Sequence, residues 1–203
     1  YQSIEDTAYW KVSVMDRNRM TDSAQMTIYK DPDSKFGGIY HYESIKMGFQ
    51  DNEEFGHFLN PFTGKVFSTA DSATLFQQNI HIAVYYYVSK DIPSPTFSSP
   101  GEVYKDILLH YPYIEEWETK HQTLWDISVD DNPVSVEKFD AMHNDSLLIV
   151  EYDDVWGKGK FKWATPGRIL PFQTETGKRG MIKVIEAENS EDGTIEFDLK
   201  IQR

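Results

Sequence analysis

Residues 180–203 read GMIKVIEAENSEDGTIEFDLKIQR, and this stretch decides the fold class. Apolar and polar residues alternate over residues 195–202 (IEFDLKIQ), and a period of two predicts a strand with one buried and one solvent-facing side. Residues 188–193 (ENSEDG) predict a turn, and residues 181–187 predict a second strand. The chain is therefore expected to end in an antiparallel hairpin whose charged face, with Glu196, Asp198 and Lys200, is plain surface.

The composition limits the function classes. A chain of 203 residues can form one domain, or one domain with a small module, and 14% aromatic residues can fill a core. Its formal net charge of -13 argues against nucleic acid or an anionic membrane surface as a partner. The chain contains no cysteine, which excludes disulfides, thiolate nucleophiles and cysteine-based zinc sites. No apolar run approaches the length of a membrane-spanning helix.

The N-terminal residues predict a separate element. Residues 8–30 have the pattern of two strands around a polar turn at residues 16–22, typical of the end of an immunoglobulin-like or PKD-like module. An isolated hairpin is barely stable in water, so either it packs on the main body or the rest of a small sandwich lies outside this sequence. Residues 31–35 (DPDSK) predict a break. We therefore expect a hairpin at residues 1–30 and a main β-rich domain at residues 36–203.

Within the main domain, β-branched and aromatic residues at 79–89 (NIHIAVYYYVS) predict a central strand covered on both faces. Residues 91–100, rich in proline and serine, predict an irregular loop, and residues 147–152 predict a strand. Short helices are expected after Ser68, Ser99 and Ser135, and Ser99 forms a capping box with Glu102. The predicted fold class is mainly β with short helices, an antiparallel β-sandwich of immunoglobulin-like character, with an α+β fold as the alternative.

Several short patterns in order resemble a group of uncharacterised β-rich surface or periplasmic lipoproteins of Bacteroidetes. The patterns lie at residues 48–52 (GFQDN), 63–68 (TGKVFS), 80–87 (IHIAVYYY), 99–101 (SPG), 117–123 (WETKHQT), 139–145 (FDAMHND), 177–185 (GKRGMIKVI) and 197–202 (FDLKIQ). His81 stands where the pattern usually has Asp. The resemblance covers about residues 45–203. It implies an extracytoplasmic β-rich lipoprotein at the outer membrane, cell surface or periplasm, and it implies no established activity.

The residue patterns that usually carry chemistry are absent. The six histidines show no metal-ligand spacing, and no nucleophile-elbow, Walker or Rossmann pattern occurs. The sequence therefore predicts no catalytic residue, no metal site and no cofactor. Carboxylates cluster at residues 115–118, 126–131 and 153–154, which suit either solvated loops or the acid pair of a glycan hydrolase.

Aromatic residues provide the candidate ligand site. Trp117, Trp125, Trp156 and Trp163 all lie in the second half of the chain, in or beside predicted loops and hairpins. Exposed indole rings can stack on the apolar faces of sugars, whereas the alternative is that these rings fill the core of the sandwich. Trp156, beside the Gly157 turn, is the one expected to be exposed. We predict the ligand site around these four tryptophans.

These observations favour a non-enzymatic extracytoplasmic lipoprotein that binds a polysaccharide or a surface protein partner. Its first residues have no signal-peptide character, so the sequence is interpreted as a mature or trimmed product. Membrane attachment is expected only through an N-terminal lipid anchor that this sequence does not include. The alternatives are a glycan hydrolase that uses a carboxylate pair and a structural adhesin or pilus-like subunit that pairs through strand edges.

Overall fold

The computed structural model describes residues 7–29, 36–67, 70–128 and 134–203. The chain divides into two units, Tyr1–Phe36 and Gly37–Arg203. The strands of the first unit are β1 (Thr7–Met15) and β2 (Thr21–Tyr29). Those of the second are β3 (Ile39–Gly48), β4 (Phe58–Asn60), β5 (Lys65–Phe67), β6 (Ile82–Ser89), β7 (Ile92–Ser98), β8 (Thr123–Asp126), β9 (Gly157–Lys158), β10 (Ile169–Thr174), β11 (Arg179–Ala187) and β12 (Thr194–Gln202). Its helices are α1 (Ala70–Leu75), α2 (Ile107–His110), α3 (Val136–Ala141) and α4 (Ser146–Val150).

The two strands of the first unit form an antiparallel hairpin, with Trp10 opposite Met26. Its polar turn is organised by Asp16, whose carboxylate accepts hydrogen bonds from the N–H groups of Asn18 and Met20, both at 2.8 Å. Arg19 has a φ of 62°, which reverses the chain tightly. Its assignment to an immunoglobulin-like or PKD-like module stays a prediction.

Two antiparallel sheets form the second unit. The larger sheet has the strand order β3-β12-β11-β10-β8-β9, and the smaller has the order β5-β4-β6-β7. Apolar side chains of both sheets, including Ile82, Phe97, Trp125 and Phe197, form one buried core cluster between them. The predicted fold class, mainly β with short helices in a β-sandwich, is confirmed.

Short helices cover the two outer faces of the sandwich. Tyr85 on the outer face of the smaller sheet packs with Ala73 of α1 and Ile107 of α2. Met181 on the outer face of the larger sheet packs with Phe139 of α3 and Leu148 of α4. Strands β6, β11 and β12 are therefore buried on both faces over much of their length. In β6 this explains why the sequence is apolar or aromatic nearly throughout. The prediction of a doubly covered strand within residues 79–89 is confirmed.

The predicted loop at residues 91–100 is wrong, because most of it forms the edge strand β7. Pro95 lies opposite Tyr86 and Pro93 opposite Val88, so both prolines have the same orientation in the strand. Phe97 shares that orientation, and its N–H points away from β6 to the carbonyl of Phe161, at 3.0 Å. The missing N–H groups of Pro93 and Pro95 thus fall on the outer edge, where the ladder with β6 needs no donor.

The prediction that the charged face of the last strand is plain surface is also wrong. Lys200 is 1% exposed, and its ammonium donates to the carbonyls of Phe139 (2.7 Å), Asp140 (3.1 Å) and Met142 (3.0 Å) at the end of α3. All three ammonium hydrogens are used, and burial lowers the pKa of Lys200. Lys200 therefore caps the C-terminal end of α3, where a helix leaves carbonyls without intrahelical partners. Of the three carbonyls, that of Phe139 also accepts from the N–H of Met142 at 3.2 Å.

A second ionic contact holds α3 on the same face. The ammonium of Lys183 lies 2.6 Å from Asp140 Oδ1 and 2.8 Å from Asp198 Oδ2. Burial alone would raise the pKa of Asp198, but hydrogen bonds from Lys183 and from the N–H of Ser44 hold it below its usual range. The alternating pattern of residues 195–202 correctly predicts a strand, but the polar face of that strand lies against α3 instead of solvent.

One strand prediction and one helix prediction are also wrong. Residues 147–152 were predicted as a strand but contain most of α4, because the side chain of Asn144 accepts from the N–H of Ser146 (3.0 Å) and starts a helical turn. A short apolar run fits either structure by its period. The capping box at Ser99 does not start a helix either, and α2 begins at Ile107. The cap at Ser135 is confirmed, and the cap at Ser68 lies outside the described residues.

The GFQDN pattern at residues 48–52 joins the two sheets. The side-chain amide of Gln50 donates to the carbonyl of Tyr86 (2.7 Å) and accepts from its N–H (2.8 Å), which continues the ladder beyond the end of β4. The side chain of Asn52 donates to the carbonyl of Asp192 in the β11–β12 turn (2.6 Å). These residues are scaffold.

Among the described residues, no helix has the length and apolar character to cross a membrane.

Replacing Lys200 with Met should lower the free energy of unfolding by about 3 kcal/mol, because three carbonyls at the end of α3 lose a charged donor in a buried site. Urea unfolding followed by tryptophan fluorescence measures this change. Lys138→Met, at an exposed position of α3, is the matched control and should stay within about 0.5 kcal/mol of the original. Equal effects of the two substitutions would contradict this role of Lys200.

Candidate functional site

An open cleft of about 670 Å³ lies beside the edge of β7. Its volume falls in the range of sites that bind small molecules or short oligomers. Its described lining combines aromatic rings with cations and consists of Tyr104, Asp106, Ile127, Lys158, Lys160, Phe161, Lys162, Trp163 and Arg168. A smaller cleft of about 330 Å³ also has Trp163 and Arg168 in its lining, with Ile92, Pro93 and Thr165. Trp163 and Arg168 thus contribute to both clefts.

The segment that carries the lysines covers the free edge of β7. Phe161 and Phe97 exchange backbone hydrogen bonds of 2.8 and 3.0 Å, and the N–H of Ala164 donates to the carbonyl of Pro95 at 2.9 Å. The ring of Phe161 is buried in the core between the sheets. Its neighbours Lys160 and Lys162 both line the cleft.

The backbone turns sharply at Trp163. Its φ is 55°, in the left-handed region that costs a non-glycine residue about 1 kcal/mol or more. The turn is held by hydrogen bonds from the N–H of Trp163 to Ser94 Oγ (3.3 Å) and from the N–H of Thr165 to the carbonyl of Trp163 (2.8 Å). This strained conformation places a half-buried indole in the lining of both clefts.

Lys160 joins the cleft to a buried carboxylate. Glu102 is buried, and its Oε2 accepts from Ser98 Oγ (2.9 Å) and from the N–H of Ile107 at the start of α2 (3.1 Å). The ammonium of Lys160 lies 3.6 Å from the other oxygen of Glu102 and also bonds the carboxylate of Asp106. Lys160 is therefore paired within the fold, and it fixes the wall of the cleft that carries Tyr104.

The other three cations of the lining have no such partner in the part of the chain that the structure describes. Within the described residues, Lys158, Lys162 and Arg168 make no ion pair. The ammonium of Lys162 lies 3.5 Å from Ser89 Oγ and 5.9 Å from the centre of the Trp163 ring, and the guanidinium of Arg168 lies 5.8 Å from the centre of the Phe161 ring. Cations above ring faces are held by the ring quadrupole and keep their charge available to a ligand.

The four predicted tryptophans occupy different environments. Trp117 and Trp125 pack inside core clusters with 3% and 0% exposure, and Trp117 Nε1 donates to Thr74 Oγ1 at 3.0 Å. No ring face of these two is open to a ligand, so the structure places them in the core. Trp156 is 48% exposed, as predicted, but its ring is not in the lining described for either cleft. Trp163 lines both.

In two of the acidic clusters on which the hydrolase alternative depends, Asp126 and Asp153 serve as turn acceptors. Asp126 accepts from the N–H and hydroxyl of Ser128 and from the N–H of Asp153 (3.0 Å). Asp153 in turn accepts from the N–H of Val155 at 2.9 Å. Residues 130 and 131 lie outside the described residues. Asp106 is the one carboxylate in the described lining of the larger cleft, and it bonds Lys160.

Sequence reasoning missed the lysines of the cleft. Lys158, Lys160 and Lys162 occupy alternate positions in the run KGKFKW at residues 158–163, but the glycines on either side of Lys158 predict a turn there. A cation at every second position in an acidic chain, beside a tryptophan, was the available signal. The covered edge of β7 could not be inferred from this run, because residues 91–100 were predicted as a loop.

The structure brings together two histidines that the sequence spacing kept apart. The rings of His81 and His121 stack with centres 4.1 Å apart, and the nitrogens of His121 face the Glu175 carboxylate and the carbonyl of Gln78 (2.8 Å). Burial and the nearby charge of His121 lower the pKa of His81 to about 4, and Glu175 opposes them. No group of three potential metal ligands is found within the described residues.

Comparisons with known proteins bear on the fold. No protein-family model matches the chain, and no curated protein matches it. Its structure is similar to the crystal structure of a DUF4466 family protein from Parabacteroides merdae ATCC 43184, with a TM-score of 0.58 and 11% sequence identity. The similarity covers 96% of this chain and 62% of that one. At this identity the likeness shows the fold alone, and the resemblance to surface lipoproteins stays a prediction.

Replacing His81 with Phe should flatten the acid side of the stability profile. The folded pKa near 4 lies below the ordinary value of 6.5, so the contribution of His81 is complete above pH 6.5 and is lost as the pH falls toward 4. With solvent screening we expect this contribution to be on the order of 2 kcal/mol.

Urea unfolding at pH 7.5, 5.5 and 4.5 measures this effect. The original protein and His81→Phe should differ in their change of unfolding free energy between pH 7.5 and 4.5, with the smaller change in the variant. Parallel pH profiles would show that His81 does not carry the effect.

Proposed function

We propose that this protein is a non-enzymatic, extracytoplasmic glycan-binding protein that captures its ligand in the cleft beside Trp163. The observation that carries the proposal is the half-buried Trp163 ring, which a strained turn holds in the lining of two clefts. Backbone strain persists where the surrounding structure enforces it, and it is concentrated at ligand-binding sites. The face of an indole is a suitable surface for the apolar side of a sugar ring.

The shape and lining of the cleft support binding of a short oligosaccharide. Tyr104 is 64% exposed on one wall, so it offers a second ring to a ligand that rests on Trp163. Lysine and arginine donors surround the rings, and an apolar surface with a few polar groups is the usual composition of a ligand site. The smaller cleft, which has Trp163 and Arg168 in its lining too, could receive a further sugar unit.

The described carboxylates favour binding over hydrolysis. Most glycosidases need two carboxyl groups roughly 5–9.5 Å apart on either side of the scissile bond. Asp106 is the one acid in the described lining, and its contact with Lys160 keeps it in an ion pair. A location at the cell surface, with attachment through an N-terminal lipid, is supported by the resemblance to Bacteroidetes surface lipoproteins.

Replacing Trp163 with Gly removes the indole ring from the site. The turn at position 163 can still form, because glycine adopts a positive φ without strain. Titration of the original protein with a panel of oligosaccharides should quench tryptophan fluorescence with at least one of them. Trp163→Gly should weaken that binding at least about tenfold, since stacking on an aromatic ring is worth about 1–3 kcal/mol. Binding should be measured by calorimetry as well, because the variant also loses a fluorophore.

Trp156→Ala is the matched control, since it removes an exposed tryptophan whose ring is not in the described lining of either cleft. It should bind as the original protein does. Tyr104→Ala tests the second ring of the lining, at an exposed position that contributes little to folding. Binding that survives both Trp163→Gly and Tyr104→Ala, or a panel to which the original protein does not bind, would contradict the proposed function.

A further inference from the structure

The charge of the larger cleft is opposite to that of the whole chain. The net charge is -13, yet the described lining holds four cationic side chains and one carboxylate. Like charges placed together repel one another, and this repulsion opposes folding unless a counter-charge lies nearby. Lys160 has its counter-charges in Asp106 and Glu102. Lys158, Lys162 and Arg168 have no ion pair within the described residues, so a bound anion would complete the cleft.

Arg168 is placed to recognise such an anion. Its guanidinium lies over the buried ring of Phe161 and lines both clefts together with Trp163. A guanidinium presents a planar fork of N–H donors that matches a carboxylate or a sulfate with two parallel hydrogen bonds. A sugar stacked on Trp163 would bring an acidic substituent within reach of Arg168 and of Lys162, whose ammonium lies 5.9 Å from the indole centre.

Resting on the proposed glycan-binding function, we propose that the cleft selects acidic oligosaccharides, recognised through carboxylate or sulfate groups by Lys158, Lys162 and Arg168. The rings bind the apolar faces of the sugars and the three cations bind the acidic groups. The charge of the rest of the molecule repels long polyanions, including nucleic acids, and therefore favours a short acidic segment or the end of a chain.

Uronic acids and sulfated sugars share this chemistry, so matched pairs of probes distinguish them. The first pair is galacturonate oligosaccharides of two to six units and the same oligosaccharides with methyl-esterified carboxyl groups. The second pair is sulfated galactan oligosaccharides and their desulfated counterparts. Within each pair the sugar skeleton is the same and only the charge differs. Calorimetry at 50 mM and 300 mM salt gives the affinity and its dependence on salt.

We expect the charged member of at least one pair to bind at least about tenfold more tightly than its neutral counterpart, with an affinity that falls as salt rises. Arg168→Gln and Lys162→Gln should each weaken binding of the charged member about tenfold and weaken binding of the neutral member clearly less, because only the charged member loses an ionic contact. Lys65→Gln is the matched control, because Lys65 also lies over aromatic rings, those of Phe67 and Phe76, but does not line the cleft. Thermal melting confirms that each variant is folded.

Other outcomes separate this inference from the proposed function. If neutral and charged members bind equally, Trp163→Gly abolishes binding and the charge variants have no effect, glycan capture stands and the selection of acidic sugars is overturned. If inorganic sulfate or acetate binds as tightly as the oligosaccharides, the sugar rings contribute nothing and the inference is overturned too. If the protein binds none of these probes, the selection of acidic sugars is overturned, and the wider oligosaccharide panel decides the proposed function. If Trp163→Gly changes no affinity, both proposals are overturned.

Discussion

The edge strand β7 imposes the constraint on which the candidate site depends. Pro93 and Pro95 leave the outer edge of this strand without two of its donors, and Phe97 supplies an N–H that needs an acceptor. The segment around Phe161 provides that acceptor and inserts its own ring into the core. Once Phe161 is fixed in this way, Lys160 and Lys162 beside it line the cleft, and the chain turns at Trp163. Edge protection and the proposed ligand site therefore use the same few residues.

Some cations of this molecule have partners inside the fold, whereas others make no ion pair among the described residues. Lys200 and Lys183 act inside the fold, where they hold the end of α3 on the larger sheet. Lys160 is paired with Glu102 and Asp106 and fixes the wall of the cleft. Lys158, Lys162 and Arg168 make no ion pair among the described residues, although the chain carries 33 acidic side chains against 20 basic ones. The contrast between paired and unpaired cations is the reason to regard the cleft as a binding site for an acidic ligand.

The sequence predicted the strands well where period and composition agree, as in β6 and β12. It failed where a tertiary contact reverses the usual meaning of a residue. Lysine at position 200 indicates solvent in a strand pattern, but here its ammonium caps a helix that is distant in sequence. Prolines at 93 and 95 indicate a loop, but both orient toward the free edge of a sheet. The carbonyl of Phe139 lies 61 residues from Lys200, and Trp163, in the segment that covers the edge of β7, lies 69 residues from Ser94. Local patterns carry no information about partners at such distances.

The same limit applies to the candidate site. The sequence selected four tryptophans, and one of them, Trp163, lines the cleft, because composition shows which rings exist but not which are covered. The alternate lysines beside it were visible in the sequence, and only the fold shows that Arg168 joins them. The cleft is assembled from segments around residues 104, 127 and 158–168. The sequence therefore does not show that these cations and aromatic rings belong to one site, and the fold does.

The most direct measurement is a crystal structure of the protein grown with a bound acidic oligosaccharide. The account predicts a sugar ring stacked on the indole of Trp163, with its carboxylate or sulfate within hydrogen-bond distance of the guanidinium of Arg168. An oligosaccharide seated elsewhere, for example on the exposed ring of Trp156, with the cleft beside Trp163 empty, would contradict it.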